Sequence, residues 1–280
     1  MDFEIIDNEL VKYNGTASEV VIPNSVKEIG GGAFRGCTSL ESVTIPNSVT
    51  YIGWEAFVGC TSLKSVIIPD SVTKIRYSAF RGCTSLESVT IPNSVKEIEK
   101  DTFSGCTSLK SVTIPDGVKE IGWFAFSDCT SLKSVTIPNS VTRIAWGGFS
   151  GCTSLKSVTI PDSVKVIEPY VFKSCTALES VIIPDSVTKI EREAFRGCTS
   201  LKIQIPHGVK EIGENAFDGC SVTDPNSVRE NAERAYQQRI QREKEERRQE
   251  EARRRSEEEA RRANEDTEGR RSSEGRLVLH

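Results

Sequence analysis

Residues 40–62 read LESVTIPNSVTYIGWEAFVGCTS, and close variants of this stretch recur along the chain at a nearly constant spacing. The cysteines of these units are separated by 23 residues seven times and by 22 residues once: Cys37, Cys60, Cys83, Cys106, Cys129, Cys152, Cys175, Cys198 and Cys220. Prolines keep the same spacing from Pro23 to Pro206, and the short last step reflects one missing residue just before Pro206. A repeat of this length predicts a solenoid in which each unit forms one coil.

A single unit has the pattern of a short strand followed by a turn. Leu40, Val43 and Ile45 follow the spacing L-x-x-L-x-L, and the β-branched residues favour a strand. Pro46 has no backbone N–H, so we expect the strand to end before it. A second short apolar element and the aromatic Phe57 complete the unit. One unit buries too little apolar surface to be stable alone, whereas stacked units share a continuous core.

The repeated phrase I-P-x-S-V-x-x-I-G-x-x-A-F-x-G-C-T-S-L, found from Ile22 to Cys220, closely resembles the BspA-type leucine-rich repeats. The opening from Leu10 to Pro23 is similar to the N-terminal edge of that family. The resemblance implies a right-handed solenoid that serves binding or adhesion, often at microbial surfaces, without catalysis. It does not imply a particular ligand.

These patterns predict an α/β repeat solenoid of short parallel strands with a C-terminal charged α-helix. Two apolar stretches flank Asp7 and Asn8, which indicates a hairpin that covers the first coil. Asp224 and Pro225 are typical of a helix start. The expected segments are 1–22 as hairpin cap and first strand, 23–222 as solenoid, 223–266 as a single charged helix and 267–280 as a disordered tail.

The predicted helix carries opposite charges at helical spacing, which stabilise an exposed helix. The pairs are Glu230/Arg234, Glu243/Arg247, Glu250/Arg254, Glu251/Arg255, Glu257/Arg261 and Glu258/Arg262. We interpret it as a lone spacer helix, with a partner-dependent helix that uses Tyr236 and Ile240 as the alternative. The run 253–255 of three arginines is a weak candidate for nucleic-acid binding because glutamates surround it.

Composition excludes several classes of protein. The formal net charge of -4 does not favour nucleic-acid binding. No stretch approaches the ~20 consecutive apolar residues that a membrane helix needs. Residues 1–10 are acidic, so we expect no signal peptide.

The nine cysteines lack the C-x-x-C spacing of a tetrahedral zinc site, and nine is an odd number for disulfides. We therefore expect free, buried thiols that act as small apolar side chains, and no metal. Free thiols and the absent leader favour a cytoplasmic protein. The family resemblance favours the cell surface instead.

Two columns of identical residues predict the core, because corresponding positions of successive coils lie above one another. One column is Phe34, Phe57, Phe80, Phe103, Phe126, Phe149, Phe172, Phe195 and Phe217. The other is Leu40, Leu63, Leu86, Leu109, Leu132, Leu155, Leu178 and Leu201.

A variable column follows the isoleucine of the second apolar element and holds all three tryptophans. Its members range from glycine to tryptophan to glutamate, so we expect at least partial exposure. Together with two aromatics of the next column they form a candidate ligand-binding surface, here named the aromatic stripe: Trp54, Tyr77, Lys100, Trp123, Phe124, Trp146 and Tyr170. Tryptophan and tyrosine dominate binding hot spots. The alternative is structural stacking of each ring on its neighbour.

No catalytic constellation is apparent. His207 has no distinctive Cys, Asp or Ser partners, and no glycine-rich phosphate loop follows a strand, so we expect neither enzymatic activity nor a cofactor. The leading hypothesis is a binding or adhesion module that recognises a protein, or a glycan, through the aromatic stripe. The alternative is a structural, assembly or spacer protein whose solenoid is inert and whose C-terminal helix mediates organisation. The oligomeric state stays open.

Overall fold

The computed structural model describes residues 2–222, 241 and 244–253. The chain divides into two units between Ala232 and Glu233, so residues 2–222 belong to the first and the other described residues to the second. The first unit is a solenoid of about nine stacked coils with parallel strands, which confirms the predicted fold. Between its strands, residues 2–222 form turns rather than helices.

One strand of each coil comes from the segment before the proline. The side chain of its central Val is buried while Ser and Thr on either side face outward, as in Ser88–Thr90. Eight of these strands pair in parallel and in register as β17-β15-β13-β11-β9-β7-β5-β3, and β19 pairs with β21. Their bounds are Glu19–Val21 (β3), Ser42–Thr44 (β5), Ser65–Ile67 (β7), Ser88–Thr90 (β9), Ser111–Thr113 (β11), Ser134–Thr136 (β13), Ser157–Thr159 (β15), Ser180–Ile182 (β17), Lys202–Ile203 (β19) and Ser221–Val222 (β21).

A second strand of two residues follows the turn of each coil and buries its isoleucine. These strands pair in parallel as β4-β6-β8, β10-β12-β14 and β16-β18-β20. Their bounds are Glu28–Ile29 (β4), Tyr51–Ile52 (β6), Lys74–Ile75 (β8), Glu97–Ile98 (β10), Glu120–Ile121 (β12), Arg143–Ile144 (β14), Val166–Ile167 (β16), Lys189–Ile190 (β18) and Glu211–Ile212 (β20).

The turn that carries the phenylalanine supplies a third ladder of backbone hydrogen bonds between coils. The N–H of Phe57 donates to the carbonyl oxygen of Ala79 at 2.8 Å, and the same bond recurs in the other coils. Gly59 follows in this turn at φ 70, a left-handed conformation that glycine adopts without a steric penalty. Backbone groups of the turns are therefore satisfied by neighbouring coils.

The two predicted columns form the core. Every leucine of its column is fully buried, and so is every phenylalanine except Phe217, which is nearly so. The phenylalanine rings stack almost parallel, as between Phe57 and Phe80, whose centroids are 5.1 Å apart with an interplanar angle of 2°. This ring stack extends through all nine coils.

The cysteine column consists of free thiols, and only the two terminal members are partly exposed. Each buried thiol donates to a phenylalanine carbonyl of the preceding coil, as from Sγ of Cys60 to the oxygen of Phe34 at 3.1 Å. Burial raises the pKa of Cys37 to about 11 and that of Cys129 to about 12. The thiols are therefore unreactive packing groups, because the thiolate is the reactive form.

We expect the partly exposed Cys37 and the seven buried cysteines to react with thiol reagents at different rates. At pH 8 Cys37 should react slowly, since a pKa of about 11 instead of 9.0 leaves about 100-fold less thiolate. Its rate should increase about tenfold per pH unit. The seven buried cysteines should react only after unfolding. Maleimide labelling followed by peptide mass spectrometry, with and without urea, measures this, and rapid labelling of Cys106 in the folded protein would contradict it.

An antiparallel hairpin closes the N-terminal end of the solenoid. Phe3–Ile6 (β1) pairs with Glu9–Tyr13 (β2), and Asp7 and Asn8 form the turn with positive φ angles of 49° and 68°. Strand β2 continues the sheet by pairing in parallel with β4. The Tyr13 ring extends the phenylalanine stack, 5.2 Å from Phe34.

In the second unit residues 244–253 are helical and exposed, and Glu250 pairs with Arg253 at 3.5 Å. The predicted helix start at 224–225, the contacts of Tyr236 and Ile240, most of the 223–266 helix, the tail 267–280, and residues 254 and 255 of the arginine run lie outside the described residues. Each of the six predicted ion pairs includes at least one such residue. Among the described helical residues none forms a segment long and apolar enough to cross a bilayer.

Candidate functional site

The aromatic stripe lies on two adjacent positions that follow the second strand of each coil. At the second position the backbone is left-handed in every coil, with φ of 54° at Phe124 and 62° at Tyr170. Glycine, asparagine and aspartate tolerate this conformation, whereas it is strained for bulky side chains. The chain therefore holds two aromatic residues of the stripe in a conformation that costs free energy.

The tryptophans of the stripe are exposed, as their variable column predicts. The exposed fractions are 45% for Trp54, 41% for Tyr77, 50% for Trp123 and 39% for Trp146. Lys100 is exposed, while Phe124 and Tyr170 are half-buried. These rings do not belong to the buried core, whose neighbouring members are the buried alanine and phenylalanine positions.

The N-terminal part of the stripe is a stacked pair of rings. The rings of Trp54 and Tyr77 are nearly parallel, with an angle of 13° and centroids 6.3 Å apart. The other side of the indole lies against Gly31, where an added Cβ would be only 2.3 Å from Cε2 of Trp54. The backbone N–H of Tyr77 donates to Oε2 of Glu99 at 2.9 Å, so the next coil positions this residue.

The centre of the stripe holds a cation and the most exposed indole. Nζ of Lys100 is 3.8 Å from Oδ2 of Asp101. Trp123 makes no ring contact with another aromatic among the described residues. Phe124 instead lies against Gly147, where an added Cβ would be 2.4 Å from the ring. Glycine at position 147 is thus what leaves room for this ring.

The C-terminal part of the stripe combines rings with cations. Trp146 and Tyr170 meet edge to face, with centroids 5.6 Å apart and an angle of 83°. The guanidinium carbon of Arg192 is 5.5 Å from the Trp146 ring and 5.1 Å from the Tyr170 ring. Nζ of Lys173 is 4.9 Å from the Tyr170 ring. Such cation–π contacts stabilise the cation at the ring surface.

Arg192 is the residue that the sequence-based site leaves out. It lies in the same variable column as the tryptophans, so column membership is the signal that could have identified it. The structure brings it to Trp146 and Tyr170, while Trp54 and Tyr77 form a separate cluster. The stripe is therefore two ring clusters with Lys100, Trp123 and Phe124 between them.

A second exposed surface lies on the eight-stranded sheet. Val21, Ile67 and Ile182 project from it with exposed fractions of 70%, 77% and 64%. Threonine occupies the equivalent position in the other coils of this sheet. Lysine and glutamate pair between coils nearby, with Nζ of Lys64 2.6 Å from Oε2 of Glu41. The three apolar residues are isolated from one another, so this face lacks a continuous apolar patch.

The described residues offer no arrangement for metal chemistry. No group of three or more His, Cys, Asp or Glu side chains among them is placed to hold a metal ion. The aromatic stripe instead presents exposed rings and cations, which neighbouring coils hold in place. Such a surface is suited to contact with another molecule.

The chain is similar to proteins of one repeat family. A family model for the BspA type leucine-rich repeat region matches residues 4–129 and 96–224, in six copies. The T. pallidum leucine-rich repeat protein TpLRR is 34% identical, with 71% of this chain and 86% of that chain covered and a TM-score of 0.57. A leucine-rich repeat protein from Bacteroides ovatus is 28% identical, with 78% and 82% covered and a TM-score of 0.38. A leucine-rich cell surface protein from Faecalibacterium prausnitzii is 27% identical, with 80% and 93% covered and a TM-score of 0.39. A comparison with curated proteins found no match.

Proposed function

Because this chain belongs to the family of BspA-type leucine-rich repeat proteins, we propose that it is a non-enzymatic module that binds a protein partner through the aromatic stripe. Leucine-rich repeat proteins generally bind proteins, and binding or adhesion is typical of the family. The observation that carries the proposal is the exposure of three tryptophans and a tyrosine above a core that is already filled.

The orientation of the rings favours a protein partner over a glycan. A sugar ring binds an aromatic side chain by lying on an open ring face. Tyr77 stacks on Trp54, Gly31 lies close to the same indole, and Arg192 lies over Trp146. These indoles are partly exposed and already packed on neighbouring residues, which suits contact with side chains of a protein. Trp123 is the one indole of the stripe without a described ring partner.

We expect the triple variant Trp54→Ala, Trp123→Ala, Trp146→Ala to bind its partner at least about 100-fold more weakly, because truncating one aromatic hot spot costs about 2 kcal/mol or more and the losses of several are not additive. Partners are identified by affinity capture from protein extracts with the wild-type chain. Their dissociation constants for wild type and variant are then measured by calorimetry. The melting temperature of the variant should change by only a few degrees, because the rings lie outside the core.

The matched control removes three exposed apolar side chains from the eight-stranded sheet: Val21→Thr, Ile67→Thr and Ile182→Thr. This control should keep the affinity. Equal loss in both variants would indicate non-specific apolar binding. Unchanged affinity of the tryptophan variant would contradict the proposal and favour the hypothesis of an inert solenoid. That hypothesis is tested by deleting residues 226–280 and measuring the oligomeric state.

A further inference from the structure

We infer that Arg192, held by Trp146 and Tyr170, is a carboxylate receptor that anchors an acidic segment of the protein partner on the aromatic stripe. The inference rests on the proposed function and adds the chemistry of the partner. The guanidinium carbon of Arg192 lies 5.5 Å from the Trp146 ring and 5.1 Å from the Tyr170 ring.

The shape of the column lets Arg192 reach both rings. Pro169 occupies the variable column in the coil between Trp146 and Arg192, and it is short and buried. The arginine side chain therefore extends over two coils instead of packing on a large neighbour. The backbone carbonyl of Arg192 accepts the N–H of Tyr170 at 3.3 Å. Arg192 and Tyr170 are therefore in contact through both their backbones and their side chains.

Arg192 is the cation of this cluster that forms no ion pair with a described residue. Lys173 donates to Glu193 at 2.9 Å, and Arg196 donates to the same carboxylate at 3.0 Å. These hydrogen bonds, from Lys173 first, lower the pKa of Glu193. Arg196 is also 3.3 Å from Asp218. Among the ion pairs of the described residues, none includes Arg192.

A guanidinium that packs over an aromatic ring can keep N–H donors free at its own edge. Arginine presents them as a fork that matches the two oxygens of a carboxylate. The rings exclude water from one side of the cation, which strengthens a charged hydrogen bond at its edge. The packing also fixes the side chain before binding, which lowers the entropic cost of association.

The two cations of the stripe surface, Lys100 and Arg192, favour an acidic protein segment. They are the charged residues of the variable column from Trp54 to Arg192; Glu214 follows Arg192 in the next coil, and Asp101 lies 3.8 Å from Lys100. These cations are four coils apart, or roughly 20 Å at about 4.8 Å per coil. An extended chain rises about 3.3 Å per residue, so two acidic residues about six positions apart would reach both cations. Apolar residues between them would lie on Trp123 and Trp146.

The test uses a displayed library of extended 12-residue peptides in which each position is varied and Glu and Gln are equally frequent. Selection on the full chain should enrich Glu, with a second acidic residue about six positions away. In fluorescence polarisation, replacing the anchoring Glu by Gln should weaken a selected peptide about tenfold. Arg192→Gln should abolish this difference. Arg192→Lys should retain part of it, because lysine keeps the positive charge but lacks the fork of donors.

The matched control is Arg81→Gln, which removes an exposed arginine that makes no described ring contact. It should leave the preference for Glu unchanged. Failure to enrich acidic peptides, a Glu preference that survives Arg192→Gln, or selective binding of acidic polysaccharides on a glycan array would each overturn the inference. In these cases the proposed function still stands if the triple tryptophan variant loses its captured protein partner.

Discussion

Replacing Phe103 by alanine is expected to lower the free energy of unfolding by about 3–5 kcal/mol, the largest effect of any single substitution considered for this chain. The ring is fully buried and stacks between Phe80 and Phe126 at centroid distances of 5.5 Å and 5.4 Å. Alanine would leave a cavity at the centre of the stack that the surrounding backbone ladders prevent from closing. In a solenoid this weakens the interfaces of the mutated coil with both neighbours.

Trp123→Ala is the matched comparison, since it removes a larger aromatic side chain from the exposed surface. We expect it to cost less than about 1 kcal/mol, because half of the indole is already in water. Urea unfolding followed by far-ultraviolet circular dichroism measures both variants without relying on tryptophan emission. A similar loss for the two substitutions would contradict the distinction between core column and exposed stripe. It would also favour the structural stacking interpretation of the tryptophans.

Replacing Tyr13 by alanine is expected to destabilise the N-terminal end by about 3 kcal/mol. Its buried ring lies between Phe3 and Phe34, at centroid distances of 5.3 Å and 5.2 Å. Its hydroxyl oxygen also accepts the backbone N–H of Ala17 at 3.2 Å. Losing the ring would expose the first phenylalanine of the core, because the hairpin would no longer cover it.

Tyr13→Phe separates the ring from the hydroxyl. It should cost only about 1 kcal/mol, the usual value of one hydrogen bond. Amide hydrogen exchange should show faster exchange in residues 3–34 of Tyr13→Ala, with the central coils unaffected, since coils contact only their neighbours. Uniform acceleration along the whole solenoid, or none at all, would contradict the role of the hairpin as a local cap.

The core could be predicted from sequence because equivalent positions of successive repeats lie in contact in a solenoid. Phe103 is identical to its counterparts 23 residues away on either side, and such a position can only pack against copies of itself. The exposure of Trp54 and Trp123 was predicted from the opposite property, a column whose size and polarity vary. In both cases the period alone places each residue above its equivalent.

The composition of the candidate site was only partly predictable. Arg192 follows Trp146 by 46 positions and belongs to the same column, yet sequence does not reveal which way its side chain turns. In the folded chain the small buried Pro169 lies between them, and Glu193 pairs with Lys173. Likewise, the small residue Gly147 makes room for Phe124, which occupies the same column in the preceding coil.

The repeat, the core columns, the free thiols and the rows of side chains outside the core follow from the amino-acid pattern, because a fixed period leaves few ways to bury the apolar residues. How the exposed rings meet is fixed only in the folded chain. Trp54 stacks on Tyr77, Trp146 and Tyr170 meet edge to face, and Arg192 forms no ion pair among the described residues. Such choices depend on side-chain rotations and on the unequal neighbours of each coil, which a repeat pattern does not encode.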